Sequence, residues 1–352
     1  MKNQEKGKQW SFFTKIVETN SNAMHNLIGL DIGGTKCAVI LGKMEKKDII
    51  SVVDKLVYPT KNYPGPDEMI TQLQKGIEQI VLKNGLTTET VSGIGISCGG
   101  PLDSKTGVIM SPPNLPGWDN VHIIDNFRKK FAIPVSIQND ANACALAEWK
   151  FGAGIGYRNV IFLTFGTGMG AGLILNGKLY EGTNDNAGEV GHIRLDNFGP
   201  VGYGKAGSFE GFCSGGGIAQ LGKIKAMEKL QMGQPVGFCT SIRELDTVTA
   251  ELLAEAALNG DSLAIEIYQI CGAYLGKGLS VLIDILNPEV IILGSIFIRS
   301  GQLLQPALDE SIAKEALHLS NRVCKIIPAA LNEKIGDYAS LSVAAYNLQK
   351  PL

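Results

Sequence analysis

The sequence predicts an α/β protein with two domains. Its 352 residues exceed what a single hydrophobic core usually supports. Apolar runs of strand length alternate along the chain with stretches of helical spacing, which is the pattern of α/β architecture. Two glycine-rich hairpins of similar composition lie more than a hundred residues apart. We therefore expect a weak internal repeat in which each hairpin opens one domain.

Composition narrows the functional classes. Hydrophobic residues make up 45% of the chain and charged residues 19%, as in an ordinary soluble enzyme. The net charge of −2 offers no general attraction to nucleic acid or to a membrane surface. Seven scattered cysteines without a CxxC pair are typical of reduced thiols, and the charged N-terminus does not resemble a signal peptide. We expect a cytoplasmic protein that binds neither nucleic acid nor membranes.

The first half of the chain opens with the hairpin "LIGLDIGGTKCAVILG" at 27–42, which reads as strand, tight turn and strand. A helix follows at 67–84, and Gly85 is its predicted stop. A strand at 91–100 and another at 133–138 flank a loop rich in proline and glycine. The second strand leads directly into a helix that starts at Asn139-Asp140.

The second half opens with the hairpin "VIFLTFGTGMGAGLILNG" at 160–177. A glycine-rich loop, several helices, the strand "VIILGS" and a closing helix come after it. The long apolar stretch at 278–298 is interrupted by Asp284 and by Asn287-Pro288, so we interpret it as a helix end, a turn and a buried strand rather than a membrane span.

Domain boundaries follow from these elements. Residues 1–26 are expected to be a poorly ordered extension, within which Met24 is an alternative start. Residues 27–141 form the predicted N-terminal domain, which also takes the closing helix at about 336–352, and residues 142–335 form the C-terminal domain.

The turns of the two hairpins are candidate phosphate loops. Gly33 and Gly34 would let backbone N–H groups approach an anion, with the Thr35 hydroxyl as a further donor. The second cradle comprises Gly166, Thr167, Gly168 and Gly170. Two-glycine turns also occur in plain hairpins, but two cradles in one chain can grip one polyphosphate from both sides. At the strand end before the first turn, Asp31 is a candidate ligand for Mg²⁺, directly or through water.

Asp140 is the candidate catalytic base, because it lies where a strand ends and α/β sheets bind ligands. The competing interpretation is a helix N-cap. Four neighbours would suit the hydroxyl groups of a polyol: Asn139, Glu189, His192 and Glu210. A lone histidine is more often structural and a lone glutamate solvated, but the "GEVGH" spacing puts both in one tight loop. Trp118 fits either a sugar face or core packing.

Together these motifs resemble the ROK family of bacterial sugar kinases and sugar-responsive repressors. The resemblance runs from about Asn26 to the C-terminus and rests on "LDIGGTK", "GISCGGPLD", "NLPGW", "QNDANACALAE", "TFGTGMGAG" and "AGEVGH", in the family's order. It implies an actin-like ATPase fold, with two RNase H-like domains around a cleft. It also implies ATP and Mg²⁺ as cosubstrates, a hexose as the acceptor, usually at its 6-hydroxyl, and a homodimer.

The resemblance also implies roles for individual residues. Asp140 matches the base. The positions that match sugar contacts are Gly100, Asn114, Asn139, Glu189, His192 and Glu210. The positions that match nucleotide contacts are Asp31, Gly33, Gly34, Thr35, Lys36, Gly166, Thr167, Gly168 and Gly294.

One motif departs from the family. ROK proteins usually carry a CxCGxxGCxE run whose three cysteines bind zinc together with a histidine, and here that frame reads "VGYGKAGSFE". Val201 offers no ligand atom, and Tyr203 and Ser208 are poor zinc ligands. The sequence therefore predicts no structural zinc, with the loop held by Tyr203 and its packing instead.

The leading functional prediction is an ATP-dependent hexose kinase, with glucose as the best single guess for its sugar. A sugar-sensing repressor would need a winged helix-turn-helix, and only about 26 residues precede the core. A pseudokinase that senses sugar without turnover is the third possibility, against which the presence of Asp140 and both hairpins counts.

Overall fold

Two five-stranded sheets with the same connectivity form the framework. The computed structural model describes residues 24–45 and 49–348, so most of the predicted extension lies outside the described residues. The first half of the chain contains, in order, β1 (His25–Ile32), β2 (Lys36–Glu45), β3 (Ile49–Pro59), α1 (Pro66–Lys83), β4 (Val91–Cys98), β5 (Leu102–Asp103), β6 (Val108–Ile109), β7 (Val121–His122), α2 (Ile123–Phe131), β8 (Val135–Asn139) and α3 (Asp140–Phe151).

The second half repeats the arrangement. It contains β9 (Val160–Leu163), β10 (Ala171–Leu175), β11 (Lys178–Leu179), β12 (Val201–Gly202), β13 (Lys205–Ala206), α4 (Phe209–Phe212), α5 (Gly215–Gln231), α6 (Ala250–Leu258), α7 (Ser262–Leu286), β14 (Val290–Leu293), α8 (Ile296–Glu315), α9 (His318–Asn321), β15 (Lys325–Pro328) and α10 (Ile335–Leu348). β1 begins two residues before the predicted domain start.

The two sheets have strand orders β3-β2-β1-β4-β8 and β11-β10-β9-β14-β15. In each sheet the first three strands of its half form an antiparallel meander, and the next two join in parallel beside the first. This shared topology explains the similarity of the two hairpins in the sequence. We call the part that carries the first sheet, residues 24–139, the N-lobe, and the part that carries the second, residues 160–328, the C-lobe.

Small residues bring the helices close to the sheets. A Cβ added to Gly29 or Gly95 would lie 2.3 Å or 2.2 Å from atoms of Ser340 in α10, so this helix packs against the N-lobe sheet. A Cβ on Gly172 would lie 2.4 Å from the carbonyl oxygen of Ala141, so α3 packs equally close to the C-lobe sheet. The first turn of α3, which carries Asp140, is therefore held by β10.

The apolar stretches form the cores of the lobes. Trp118 is 3% exposed and belongs to the N-lobe core, so core packing is the correct interpretation of this side chain. Gly85 lies two residues after the end of α1 and has a φ of 68°, as predicted for a helix stop. Among the described residues, α7 alone has the length and apolar composition to cross a membrane, with half of its apolar window buried. Its Leu275, Leu279 and Ile283 lie in the C-lobe core.

Candidate active site

The turn between β1 and β2 holds the first predicted phosphate loop. The Gly33 N–H donates to the Lys36 carbonyl, and the Thr60 hydroxyl donates to the Gly33 carbonyl over 2.7 Å. Thr35 and Lys36 are exposed, so their side chains are open to a ligand. A Cβ on Gly34 would lie 2.3 Å from the backbone oxygen of Asn114, so lack of space, rather than a left-handed φ, requires glycine here. The same contact places Asn114 beside this turn.

The loop between β9 and β10 holds the second cradle and separates two cavities. Gly166 and Thr167 line a large cavity of about 1130 Å³ in the C-lobe. Met169, two residues later, lines a smaller cavity of about 340 Å³ between the lobes. The loop is tied to its own strand ends, because the Gly170 N–H donates to the Thr164 hydroxyl over 3.0 Å. One short loop therefore lies between a cavity of nucleotide size and one that suits a small polar molecule.

Most of the predicted sugar contacts meet at the smaller cavity. Its lining includes Gly100, Asn139, Glu189, His192 and Glu210. The Met169 N–H donates to Glu210 over 3.0 Å, and Gly168 leaves room for that carboxylate, since a Cβ there would lie 2.8 Å from its Oε2 atom. Asn114 and Asp140 are absent from this lining.

Asp140 occupies the first position of α3, and the residue before it caps the helix. The Asn139 side chain accepts a hydrogen bond from the Asn142 N–H over 2.8 Å. Asp140 accepts from the N–H of Ala141 over 2.8 Å. The N-cap interpretation of Asp140 is therefore wrong. Since Asn139 performs the capping, the Asp140 side chain is not needed for it and stays exposed to the cleft.

Burial raises the pKa of three carboxyl groups in the cleft, and neighbouring carboxylates add to the rise at two of them. Burial raises the pKa of Asp31 from 3.8 to about 6, with Lys55 opposing the rise and Asp337 and Asp140 adding to it. Asp140 is open to the water of the cleft, yet protein surrounds it closely and this burial raises its pKa. Burial also raises the pKa of Glu189, which His192 lowers and Asp140 and Glu210 raise. Asp140 thus lies within electrostatic reach of both Asp31, beside the first turn, and Glu189, in the lining of the smaller cavity.

The frame that usually binds zinc is held by hydrogen bonds. Ser208 is fully buried, accepts from the Gly211 N–H over 3.1 Å and so caps α4, which carries Glu210. Gln220 accepts from the Val201 N–H and donates to the Val201 carbonyl. The Lys205 ammonium donates to the His192 carbonyl over 2.7 Å.

Tyr203 has an unexpected place in this frame. It is 74% exposed, meets the His192 ring edge to face at 5.6 Å and lines the smaller cavity. The predicted packing role is therefore performed mainly by Ser208 and Gln220, while Tyr203 forms part of the cavity wall. The residues of this frame do not fit zinc. Across residues 24–45 and 49–348, no group of three histidine, cysteine or acidic side chains could hold a metal ion.

The larger cavity is lined mainly by residues that the sequence did not single out. They come from the start of α5, from α6 and from the start of α8, and include Gly215, Gly216, Glu255, Ser295 and Arg299. The predicted Gly294 is not in the lining; it packs against Phe162, and Ser295 beside it reaches the cavity. Ser295 has a φ of 47°, which is rare for serine and not visible in the sequence. The glycine run Gly215–Gly217, which begins α5, was the one available signal, because helix N-termini bind phosphates.

A pair of sheets with one shared topology, joined around a cleft, is the actin-like ATPase fold, and the site lies in that cleft. The chain belongs to the ROK family, whose model matches residues 27–345.

Relatives in this family have two kinds of function. A glucokinase of Halalkalibacterium halodurans is 30% identical over 294 residues, which cover 82% of this chain and 86% of the relative. The DNA-binding transcriptional repressor Mlc of Escherichia coli is 28% identical over 71% of this chain and 59% of its own length. The crystal structure of a ROK family glucokinase from Streptomyces griseus, in complex with glucose and AMPPNP, aligns with a TM-score of 0.69 at 26% identity, over 91% of this chain and 99% of that one.

Proposed function

We propose that the protein is an ATP-dependent hexose kinase in which Asp140 is the general base. The observation that carries the proposal is the loop at 164–170, which lines a nucleotide-sized cavity on one side and a polar, hexose-sized cavity on the other. A phosphoryl group transferred from a nucleotide in the larger cavity to a sugar in the smaller cavity would pass this loop, close to Asp140. The glucokinase relatives support the same function, and glucose is the first sugar to test.

In the proposed reaction, a hexose hydroxyl oxygen attacks the γ-phosphorus of ATP while the bond from phosphorus to the β–γ bridging oxygen breaks and ADP leaves. Asp140 accepts the proton of that hydroxyl. Its raised pKa makes the carboxylate a stronger base than an ordinary aspartate. Glu189, His192 and Glu210 would orient the sugar, and backbone N–H groups of the turns at Gly33 and Gly166 would bind the phosphates.

Mg²⁺ fits the chemistry of the site. It is commonly held by one or two carboxylates together with phosphate oxygens and water. Asp31 is a half-buried carboxylate at the end of β1, beside the turn that holds Gly33 and Gly34. When bound, the ion would neutralise charge on the phosphates, and Asp31 would hold it directly or through water.

The test is ADP release with ATP and Mg²⁺ across a panel of hexoses and N-acetylhexosamines. The wild type is expected to turn over at least one sugar, and Asp140→Asn is expected to lose roughly 10²- to 10⁴-fold in kcat while still binding the sugar in calorimetry. Asp125→Asn is the matched control, because Asp125 is an exposed aspartate in the first turn of the neighbouring α2 and lines neither cavity. Full activity in Asp140→Asn would overturn the assignment of the base.

The second candidate is a sugar-responsive regulator or sensor without turnover, which the similarity to Mlc favours. Sugar binding without ADP release across the whole panel would select it. We further propose a cytoplasmic homodimer, and multi-angle light scattering at twice the monomer mass of 37.6 kDa would support the dimer.

A further inference from the structure

The loop that follows β11 crosses from the C-lobe to the N-lobe at the rim of the sugar cavity. Residues 181–185 contact the N-lobe at three places. The Gln138 amide donates to Glu181, the Lys105 ammonium donates to the Thr183 carbonyl over 3.1 Å, and Ser104 donates to Asp185. Since Ser104 and Asp185 are 81 residues apart in the chain, the contact joins two separate elements.

Asp185 makes the most specific of these contacts. Its side chain is only 7% exposed, and its two oxygens accept from the backbone N–H and from the hydroxyl of Ser104, each over 2.8 Å. A buried carboxylate that accepts two hydrogen bonds is costly to separate from its donors. Asp185 also adopts a φ of 62°, a left-handed conformation that most residues avoid. The backbone thus accepts an uncommon conformation at the position where the carboxylate reaches Ser104.

Both ends of this contact are rigid. On the N-lobe side, Asp103 accepts from the N–H groups of Lys105 and Thr106 over 2.9 Å each, which locks the turn that presents Ser104. On the C-lobe side, the Ala171 N–H donates to the Gly188 carbonyl over 2.8 Å. A Cβ on Gly188 would lie 1.9 Å from the Ala171 oxygen, so the chain is pressed onto β10 there. A movement at Asp185 would therefore be transmitted between the lobes rather than absorbed by a loose loop.

The contact lies where the two walls of the sugar cavity meet. Asp185 lines that cavity together with Gly100 and Leu102 of the N-lobe and with Glu189 and His192 of the C-lobe. Glu189 follows Asp185 by only four residues, with the anchored Gly188 between them.

We propose that Asp185 is a positioning residue that latches the two walls of the sugar cavity through Ser104 and so sets the distance between the sugar contacts of the N-lobe and those of the C-lobe. The proposal rests on the sugar-kinase function proposed above. It concerns sugar affinity, because Asp185 lines the sugar cavity and neither Asp185 nor Ser104 lines the nucleotide cavity.

Asp185→Asn is the first variant, because asparagine keeps the size of the side chain and tolerates the left-handed conformation. It loses the charge, and its amide nitrogen cannot accept the hydrogen bond that the second carboxylate oxygen now accepts from Ser104. We expect the KM for the sugar to rise about tenfold, with the KM for ATP and kcat changed by less than about threefold. Asp185→Gly, which removes the latch without backbone strain, should raise the sugar KM at least as much.

Ser104→Ala and the double variant test whether the two residues act together. Because both changes break the same contact, the double variant should be no worse than Asp185→Asn alone. Glu289→Gln is the matched control, because Glu289 accepts from the N–H groups of Arg158 and Asn159 over 2.6 Å and 2.8 Å and lines neither cavity. It should lose stability without a change in the sugar KM.

Amide hydrogen exchange of the segment 102–107 tests the latch without any assay of turnover. Exchange at Ser104 should be faster in Asp185→Asn than in the wild type, and unchanged in Glu289→Gln. Unchanged exchange in Asp185→Asn would overturn the latch. Faster exchange with an unaltered sugar KM, or an unaltered Kd in calorimetry, would overturn the positioning role. A wild type that turns over no sugar would instead count against the proposed kinase, which the exchange result does not depend on.

Discussion

Asp31 supplies a prediction whose sign and size follow from its surroundings. Its pKa is raised from 3.8 to about 6, chiefly by burial, and the Asp337 and Asp140 carboxylates add to the rise against the effect of Lys55. Between those pH values the folded protein keeps a proton that the unfolded chain releases, so the free energy of unfolding falls as the pH rises through this window. Above the folded-state pKa, the loss of unfolding free energy caused by ionising Asp31 is complete. At about 1.4 kcal/mol per pKa unit, it amounts to about 3 kcal/mol.

Asp31→Asn removes this cost, because asparagine has no proton to lose. Relative to its value at pH 4, the stability of Asp31→Asn minus that of the wild type should rise by about 2.4 kcal/mol by pH 7.5, because pH 4 already lies just above the unfolded-state pKa. Kinase activity should be lost. Urea denaturation at pH 4, 5, 6 and 7.5, with EDTA and without nucleotide, measures the difference.

Asp54→Asn provides the control for this titration. Hydrogen bonds from Lys83 and Asn84 hold the pKa of Asp54 down at about 2, so this carboxylate is ionised in both the folded and the unfolded state at most of these pH values. The stability difference for Asp54→Asn should therefore change little above pH 5. A difference for Asp31→Asn that does not depend on pH, or that falls as the pH rises, would refute the burial argument.

Three further predictions concern the loops of the site. Gly34→Ala places a Cβ 2.3 Å from the Asn114 oxygen, so the turn must move. Initial rates should show a KM for ATP at least about tenfold higher, with the sugar KM less affected. An unchanged KM for ATP would show that this turn does not bind the nucleotide. Ser208→Ala removes the cap of α4 and should lower the free energy of unfolding by about 1–2 kcal/mol in urea denaturation. The sugar KM should rise, because Glu210 lies in that helix. Unchanged stability would show that the cap is dispensable. EDTA should leave the melting temperature unchanged, and stoichiometric zinc in protein purified without added metal would contradict the prediction that the chain has no structural zinc.

The outline of the fold could be predicted from sequence because it depends on local patterns. Two hairpins, each with a glycine turn between apolar strands, indicated two α/β units, and the sheets do repeat one topology. The family motifs then pointed to the actin-like fold that the structure has. The helix stop at Gly85 was equally local, since a left-handed residue after a helix favours glycine.

Neighbouring residues of similar chemistry could not be told apart from sequence. Asn139 and Asp140 are both good N-caps, and only the backbone geometry shows that Asn139 caps the helix and leaves Asp140 for the cleft. Trp118 fitted a sugar face or a core, and its burial decided for the core. In both cases a difference of one position or one rotamer separates a structural role from a functional one.

The sequence by itself determined the α/β class, the two-lobed plan and the residue types at the strand ends, because these follow from hydrophobic periodicity and from short motifs. Only the tertiary structure decided which distant segments meet. The nucleotide-sized cavity draws on the starts of α5 and α8, and the contact of Ser104 with Asp185 spans 81 residues. Such contacts depend on how the two lobes pack across the cleft, and no local pattern in the chain encodes that packing distance.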